Sequence, residues 1–407
     1  MCRLISIVLC FLVVSDLRAD DWPQFLGPTR NLRYTGKGIA DKWPVSGPTV
    51  VWKKRVGKGL AGAAVSGDKL IFFHRVGDEE TVECLDPETG VQNWSQSYAT
   101  TYRDNYGMDE GPRGTPAIAG GFVYTHGAQG VLQCLDLKTG KVVWRVDTKK
   151  LHGSRKGFFG RACSPLVEGN LVLLNVGGPK AGIAGFDAKT GRTVWTATKD
   201  EAGYASPVAA TIDGKRLAFF YTREQLMVVE PKTGKMVLSR RWRSRNELSV
   251  NAATPIVSGN RILLSTSYGV GATVIEFKGQ KVKTLWSADG VMSSHYSTAV
   301  ESDGFVYGFD GRQETGQRLR CIEMLTGKVR WTVDDMAAGT VMIADGKLIV
   351  LTQDGELIMA PATPNGFTQS GRSQILGFHT RAYPALAGGL FFARDGRQLV
   401  CIDLRSR

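Results

Sequence analysis

The sequence predicts an all-β fold: an eight-bladed β-propeller of four-stranded blades, its ring closed by an N-terminal strand that pairs with the C-terminal blade. Three observations predict it. A turn-and-tryptophan unit recurs along the chain. Strand-like runs precede each recurrence. The two ends of the chain are complementary fragments of one such unit.

The unit is clearest in Asp86-Pro87-Glu88-Thr89-Gly90 leading to Trp94, in Asp136-Leu137-Lys138-Thr139-Gly140 leading to Trp144, and in Asp187-Ala188-Lys189-Thr190-Gly191 leading to Trp195. Glu230-Pro231-Lys232-Thr233-Gly234 leads instead to Leu238, a weaker copy at 277–281 leads to Trp286, and Glu323-Met324-Leu325-Thr326-Gly327 leads to Trp331. These ends lie 50, 51, 43, 48 and 45 residues apart. Four strands per unit of that length is the dimension of a propeller blade. A solenoid would need capping repeats at both ends.

Each unit carries the same local physics. An apolar-alternating run such as Val82-Glu83-Cys84-Leu85 reads as a strand. Asp accepts hydrogen bonds from its own downstream backbone and Gly takes the left-handed conformation, so Asp-x-x-Thr-Gly reads as a hairpin turn. The strand after the turn ends in Trp. Trp52, Trp94, Trp144, Trp195, Trp286 and Trp331 are therefore expected to dock neighbouring blades as large apolar plugs. Upstream, Ala117-Ile118-Ala119 and Phe122–His126, or Leu166-Val167-Glu168 and Leu171–Leu174, supply two more strands.

The ends predict closure. The last unit runs from Tyr383 to Asp403 and stops at its turn, where a fourth strand would follow. Thr49-Val50-Val51-Trp52 is a fourth-type strand lacking its blade. Pairing the two leaves no free edge. A degenerate seventh blade is expected at 337–375, and the expected organisation is a signal peptide at 1–19, an N-terminal extension at 20–48 and the propeller at 49–407.

A charged start followed by an apolar run from Leu4 to Val14 reads as a secretory signal cleaved after Ala19, too short to span a bilayer. No later segment reaches spanning length. An exported protein of the periplasm or cell envelope, soluble after cleavage and monomeric, is expected. Removing Cys2 and Cys10 with the signal leaves five cysteines, an odd number. Cys84, Cys134, Cys321 and Cys401 share one repeat context, which reads as a small apolar position rather than a disulfide framework.

Composition sets outer bounds. With 43% hydrophobic and 22% charged residues, disorder is excluded, and 49 glycines without a triplet period exclude collagen. A net charge of +13 favours anionic partners.

The Asp-x-x-Thr-Gly-Lys-x-x-Trp repeats resemble those of the PQQ-like, quinoprotein-type β-propeller family, and Trp22-Pro23-Gln24-Phe25-Leu26-Gly27-Pro28 resembles the start of its exported stand-alone members. The resemblance covers 20–407 and is specific for fold. It implies one of two branches. PQQ-dependent alcohol and sugar dehydrogenases hold quinone and calcium in the central funnel and use a catalytic Asp, often with two adjacent cysteines. Non-catalytic propellers, typified by the barrel-assembly lipoprotein of the outer membrane, bind protein partners. No Cys-Cys pair exists in this chain, and no calcium-ligand motif matches residue by residue. A non-catalytic binding or scaffold role is therefore expected, with no catalytic residue, metal or cofactor. The first alternative is a divergent oxidoreductase using PQQ and calcium. The second is a module that binds anionic glycans.

Loops entering the innermost strand of each blade gather at one mouth of the channel. Aligning the blades on the residues before the inner strand places Arg113, Arg161, Tyr204, Asn251, His295, Tyr296 and Arg381 near that funnel mouth. They are the candidate ligand-binding residues: a basic, aromatic mouth for a protein partner or an anionic ligand, since the planar Arg fork binds carboxylate or phosphate bidentately. The run Arg240–Arg245 reads as a solvated face. The histidines have no assignable nucleophile, no cysteine spacing suits zinc, and no glycine loop precedes a helix to cradle phosphate. Trp242 lies among arginines, but export and the absence of a binding motif argue against nucleic acid.

Overall fold

Eight antiparallel four-stranded sheets form the blades of a closed propeller in a computed structural model that describes residues 20–406 apart from 279, 280 and 313. The expected signal segment, with Cys2 and Cys10, lies outside the described residues. One short helix, Thr148–His152, interrupts the β structure, and no helix among the described residues is long and apolar enough to cross a membrane.

Seven blades are built from consecutive strands. The first has inner to outer order Ala64–Ser66, Lys69–Val76, Glu79–Leu85 and Gln92–Ala99, and the pattern repeats to the seventh, Gly339–Ala344 through Gly371–Gln374. The eighth joins the ends: Ala385–Ala387, Leu390–Arg394 and Gln398–Asp403 are completed by Thr49–Arg55. Burial follows the radius. The two middle strands are nearly all buried, as in Leu171–Gly178, whereas the outermost alternate. The outer strands that carry a repeat tryptophan each have a β-bulge beside it, for example between Val142 and Trp144, which twists an otherwise exposed edge.

The tryptophan and glycine of the repeat meet across blade boundaries. Nε1 of Trp52, Trp94, Trp144, Trp195, Trp286 and Trp331 donates to a carbonyl in the next blade's turn, at 2.8–3.0 Å. The indole lies on the turn glycine. At Gly191, with φ 72°, an added Cβ would stand 2.5 Å from Cε3 of Trp144. Directly opposite four of the tryptophans on the neighbouring strand sits a cysteine: Cys84 faces Trp94, Cys134 faces Trp144, Cys321 faces Trp331 and Cys401 faces Trp52. All five described cysteines are buried and free.

A second belt runs round the channel. The amide of Gly62 donates to the Thr115 hydroxyl at 3.1 Å, Thr115 N to Ser164 Oγ at 2.9 Å, and Ser164 N to Ser206 Oγ at 2.9 Å. Ser206 N donates to Thr254 Oγ1 at 3.3 Å, Thr254 N to Thr298 Oγ1 at 2.9 Å, and Thr298 N to the Tyr383 hydroxyl. Most of these residues precede a proline. They open the inner strands, where close approach leaves each backbone amide no strand partner and a neighbouring hydroxyl supplies the acceptor.

Residues 22–30 lie across the inner strands at one mouth, and 33–43 run along the seventh and eighth blades. Trp22 pairs with Val65 of the first blade, and Ile118 N of the second donates to Pro23 O. Arg33–Tyr34 adds a parallel strand to the seventh blade, and the Tyr34 hydroxyl accepts from Gly389 N of the eighth. Between them Arg30, fully buried, reaches into the channel and donates to the carbonyls of Ser164, Pro165 and Pro207. Burial draws its guanidinium down to about 9.

Candidate functional site

With one mouth closed, the channel is a blind funnel of about 370 Å³. Its floor is Phe25, carried by the segment that plugs the far side and set edge-on to Tyr383 at 5.1 Å. Its walls come from the loops that enter the inner strands: Tyr106 and Arg113 in the second blade, Phe158 and Phe159 in the third, Tyr204 in the fourth, His295 and Tyr296 in the sixth, and Arg381 in the eighth. Tyr268, on a hairpin of the fifth blade, completes the ring and stands edge-on to His295 at 5.4 Å.

Of the residues singled out from sequence, Arg113, Tyr204, His295, Tyr296 and Arg381 converge on this cavity. Arg161 and Asn251 do not line it. Arg161 is 5% exposed and donates to the Ser154 hydroxyl and carbonyl in its own loop, and burial brings its guanidinium down to about 10. Asn251 takes φ 49° and turns its amide onto the carbonyls of Thr222, Arg223 and Trp242 while accepting from Thr266 Oγ1. Each of these side chains is bonded within the protein, and Arg161 lines two smaller cavities instead.

The mouth is less basic than its loops read. Arg113 donates to Asp104 at 3.1 Å, to Asp109 O and to Phe159 O. Burial opposes ionisation of Asp104, but the amides of Asp109 and Tyr106, with the Arg113 charge, outweigh it and hold the carboxyl below the usual range. Glu224 sits between Arg241 and Arg243, so two of the four arginines at 240–245 are paired. Asp109 and Glu110 diverge: Asp109 accepts from Gly111 N, and Glu110 meets Lys58 at 2.9 Å. What remains is aromatic and apolar, and at the rim Tyr106, Met108 and Leu248 are 54%, 49% and 56% exposed.

Three polar atoms on the funnel wall are buried with no hydrogen-bond partner: the Tyr296 hydroxyl, Arg381 Nε and Nη1 of Arg113, whose Nε and Nη2 are bonded. Burial raises the Tyr296 phenol, and the nearby Arg381 charge opposes that rise. Sequence reasoning named Arg113, Tyr296 and Arg381 and expected an aromatic mouth, but not Tyr106, Phe158, Phe159, Tyr268 or Phe25 as its walls. Tyr106, Phe158 and Phe159 sit in the loops that carry Arg113 and Arg161, so large apolar residues in long polar loops were the available signal.

The cavity was tested against a quinone–calcium pair. Calcium takes six to eight oxygens, with several carboxylates. Glu314 is the one carboxylate lining the cavity among the described residues, and no cluster of three or more His, Cys, Asp or Glu there could hold a metal. The donor set does not fit such a pair.

Comparison with known proteins follows the fold. The structure of BamB from Moraxella catarrhalis superposes with a TM-score of 0.63 at 18% identity, covering 87% of this chain and 97% of that one. Quinohemoprotein alcohol dehydrogenase ADHIIG from Pseudomonas putida superposes at 0.59 and 14% identity, over 97% and 82%. Identities this low speak to fold alone. Among curated sequences, the tetrathionate hydrolase of Acidithiobacillus ferrooxidans is 23% identical over 255 residues, 58% of this chain and 48% of that protein. The Pseudomonas putida dehydrogenase is 29% identical over 93 residues, 12% of its length. The chain thus spans about half or less of the curated relatives it matches. A family model described as "Outer membrane protein assembly factor BamB" matches residues 78–333, more than half the chain, and the protein belongs to that family.

Proposed function

We propose that the protein is a non-catalytic binding propeller of the cell envelope whose funnel receives a group presented by a partner. One observation carries the reading: large apolar side chains stand exposed on the loops around the mouth of a blind aromatic cavity, a combination that marks interaction surfaces rather than ordinary solvated loops. The family description, an assembly factor, agrees with a binding role. The dehydrogenase alternative lacks support from the donor set, and the glycan alternative loses the free basic mouth that motivated it.

The test uses photo-crosslinking side chains at three positions of the full protein in envelope preparations. Tyr106 and Leu248 line the mouth, whereas Val143 is 46% exposed on an outer strand. A discrete adduct from the two mouth positions and none from Val143 is expected. Equal labelling from all three, or turnover of alcohols or sugars with PQQ, calcium and an artificial electron acceptor, would overturn the reading.

A further inference from the structure

We propose that the group the funnel receives is an aromatic monoanion, a planar ring system bearing one carboxylate or sulfonate and bound without a metal. This rests on the binding role above and adds its chemistry.

The walls select for electron-rich rings. The Arg223 guanidinium lies 5.2 Å from the Phe158 ring centroid, and that of Arg312 lies 4.5 Å from the Tyr268 centroid. Both rings line the cavity and neither arginine does, so the cations stand behind the rings. The Arg113 guanidinium, itself on the cavity wall, lies 5.9 Å from the Phe159 centroid. A cation on one face of a ring draws on its π density and makes the free face a poor host for a second cation. The same polarisation favours stacking by an electron-rich aromatic. The funnel is therefore unlike an aromatic cage for quaternary ammonium, although its residue types alone resemble one.

The anchor selects for charge. The Tyr296 hydroxyl and Arg381 Nε, both buried and unpartnered, belong to neighbouring side chains on the same cavity. A guanidinium and a phenol both offer protons, and no acceptor among the described residues takes either. A carboxylate placed there would accept from both in charge-assisted bonds. Arg113 is paired with Asp104, and Glu314, whose charge reaches Tyr296, stands exposed on the cavity wall, so Arg381 is the deep charge of the site. One cation matches one anion, while Phe25 offers the buried end of the cavity to the apolar body.

The test is calorimetric titration of the whole protein, in EDTA, with 2-naphthoate and with neutral, nearly isosteric 2-naphthamide. One-to-one binding of naphthoate, at least tenfold tighter than naphthamide, is expected. Arg381→Gln should reduce naphthoate to the naphthamide level, Tyr296→Phe should weaken it severalfold, and neither should alter naphthamide. Should Arg381→Gln not fold, Tyr296→Phe and a fall in naphthoate affinity with added salt carry the same test. Absence of naphthoate binding, equal binding of the two probes, or indifference to both substitutions would overturn the proposal. So would PQQ binding that requires calcium and excludes naphthoate. None of these results, except the last, bears on the crosslinking pattern, so the two readings fail separately.

Discussion

Ser164→Ala should destabilise the ring far more than the loss of one oxygen implies. Ser164 is 1% exposed, and its hydroxyl accepts from the amide of Thr115, itself 3% exposed. Alanine keeps the backbone and Cβ but removes that acceptor, and no strand partner or solvent can replace it. An orphaned buried amide costs about 1–3 kcal/mol. Ser206→Ala orphans the Ser164 amide in the same way and should cost about as much. Ser95→Ala, at an exposed position, should stay within about 0.5 kcal/mol of the parent. Equilibrium urea unfolding reads the global change, and hydrogen exchange across 113–117 reads the local one, where Thr115 should lose protection first. If Ser164→Ala matched Ser95→Ala in both measurements, the hydroxyl belt would be a geometric coincidence without energetic weight.

Two further outcomes follow from blade docking and burial. Gly191→Ala combines left-handed strain with a Cβ 2.5 Å from the Trp144 ring, and should cost about 2–4 kcal/mol. Adding Trp144→Phe should relieve part of that, so the double-mutant cycle should show coupling of the order of 1 kcal/mol, and strict additivity would refute the contact. His126 is buried, with Nδ1 3.2 Å from Cys163 O and no partner at Nε2. Burial first, then the Arg161 charge, draws its pKa down to about 3. Its folded value lies below its unfolded value of about 6.5, so its contribution to stability is complete above that pH. It is lost as pH falls towards 3, with a slope approaching about 1.4 kcal/mol per pH unit. His126→Gln should flatten the stability–pH profile in that window, and an unchanged difference between parent and variant from pH 7 to 4 would count against it.

Much of the fold was legible because its determinants are local. Asp187, Thr190 and Gly191 specify a turn with their own side chains: Asp187 Oδ1 accepts from the amide and hydroxyl of Thr190, and Gly191 takes the left-handed conformation. Thr49–Arg55 could be matched with Gln398–Asp403 because a lone outer strand and a blade lacking one are complementary. The site was legible only in part. Equal positions in successive blades do converge, which brought Arg381 and Tyr296 together, but position does not decide where a long side chain finds partners. Arg161 found Ser154, and Asn251 found three carbonyls, because those acceptors lie in loops whose shape the repeat does not encode.

Strand alternation, turn chemistry and repeat spacing are properties of neighbouring residues, so the sequence by itself determined the propeller, its eight blades and the manner of its closure. The tertiary structure alone decided three other things. It set Trp52, Trp94, Trp144, Trp195 and Trp286 on the turn glycine of the next blade, a contact between repeats that look alike in one dimension. It took charge out of the expected basic, aromatic mouth by pairing Arg113 with Asp104, and it paired Arg241 and Arg243 with Glu224. It carried Phe25 through the far mouth to floor the funnel. These depend on which surfaces meet at long range, and charge, burial and access to a ligand are settled only when they do.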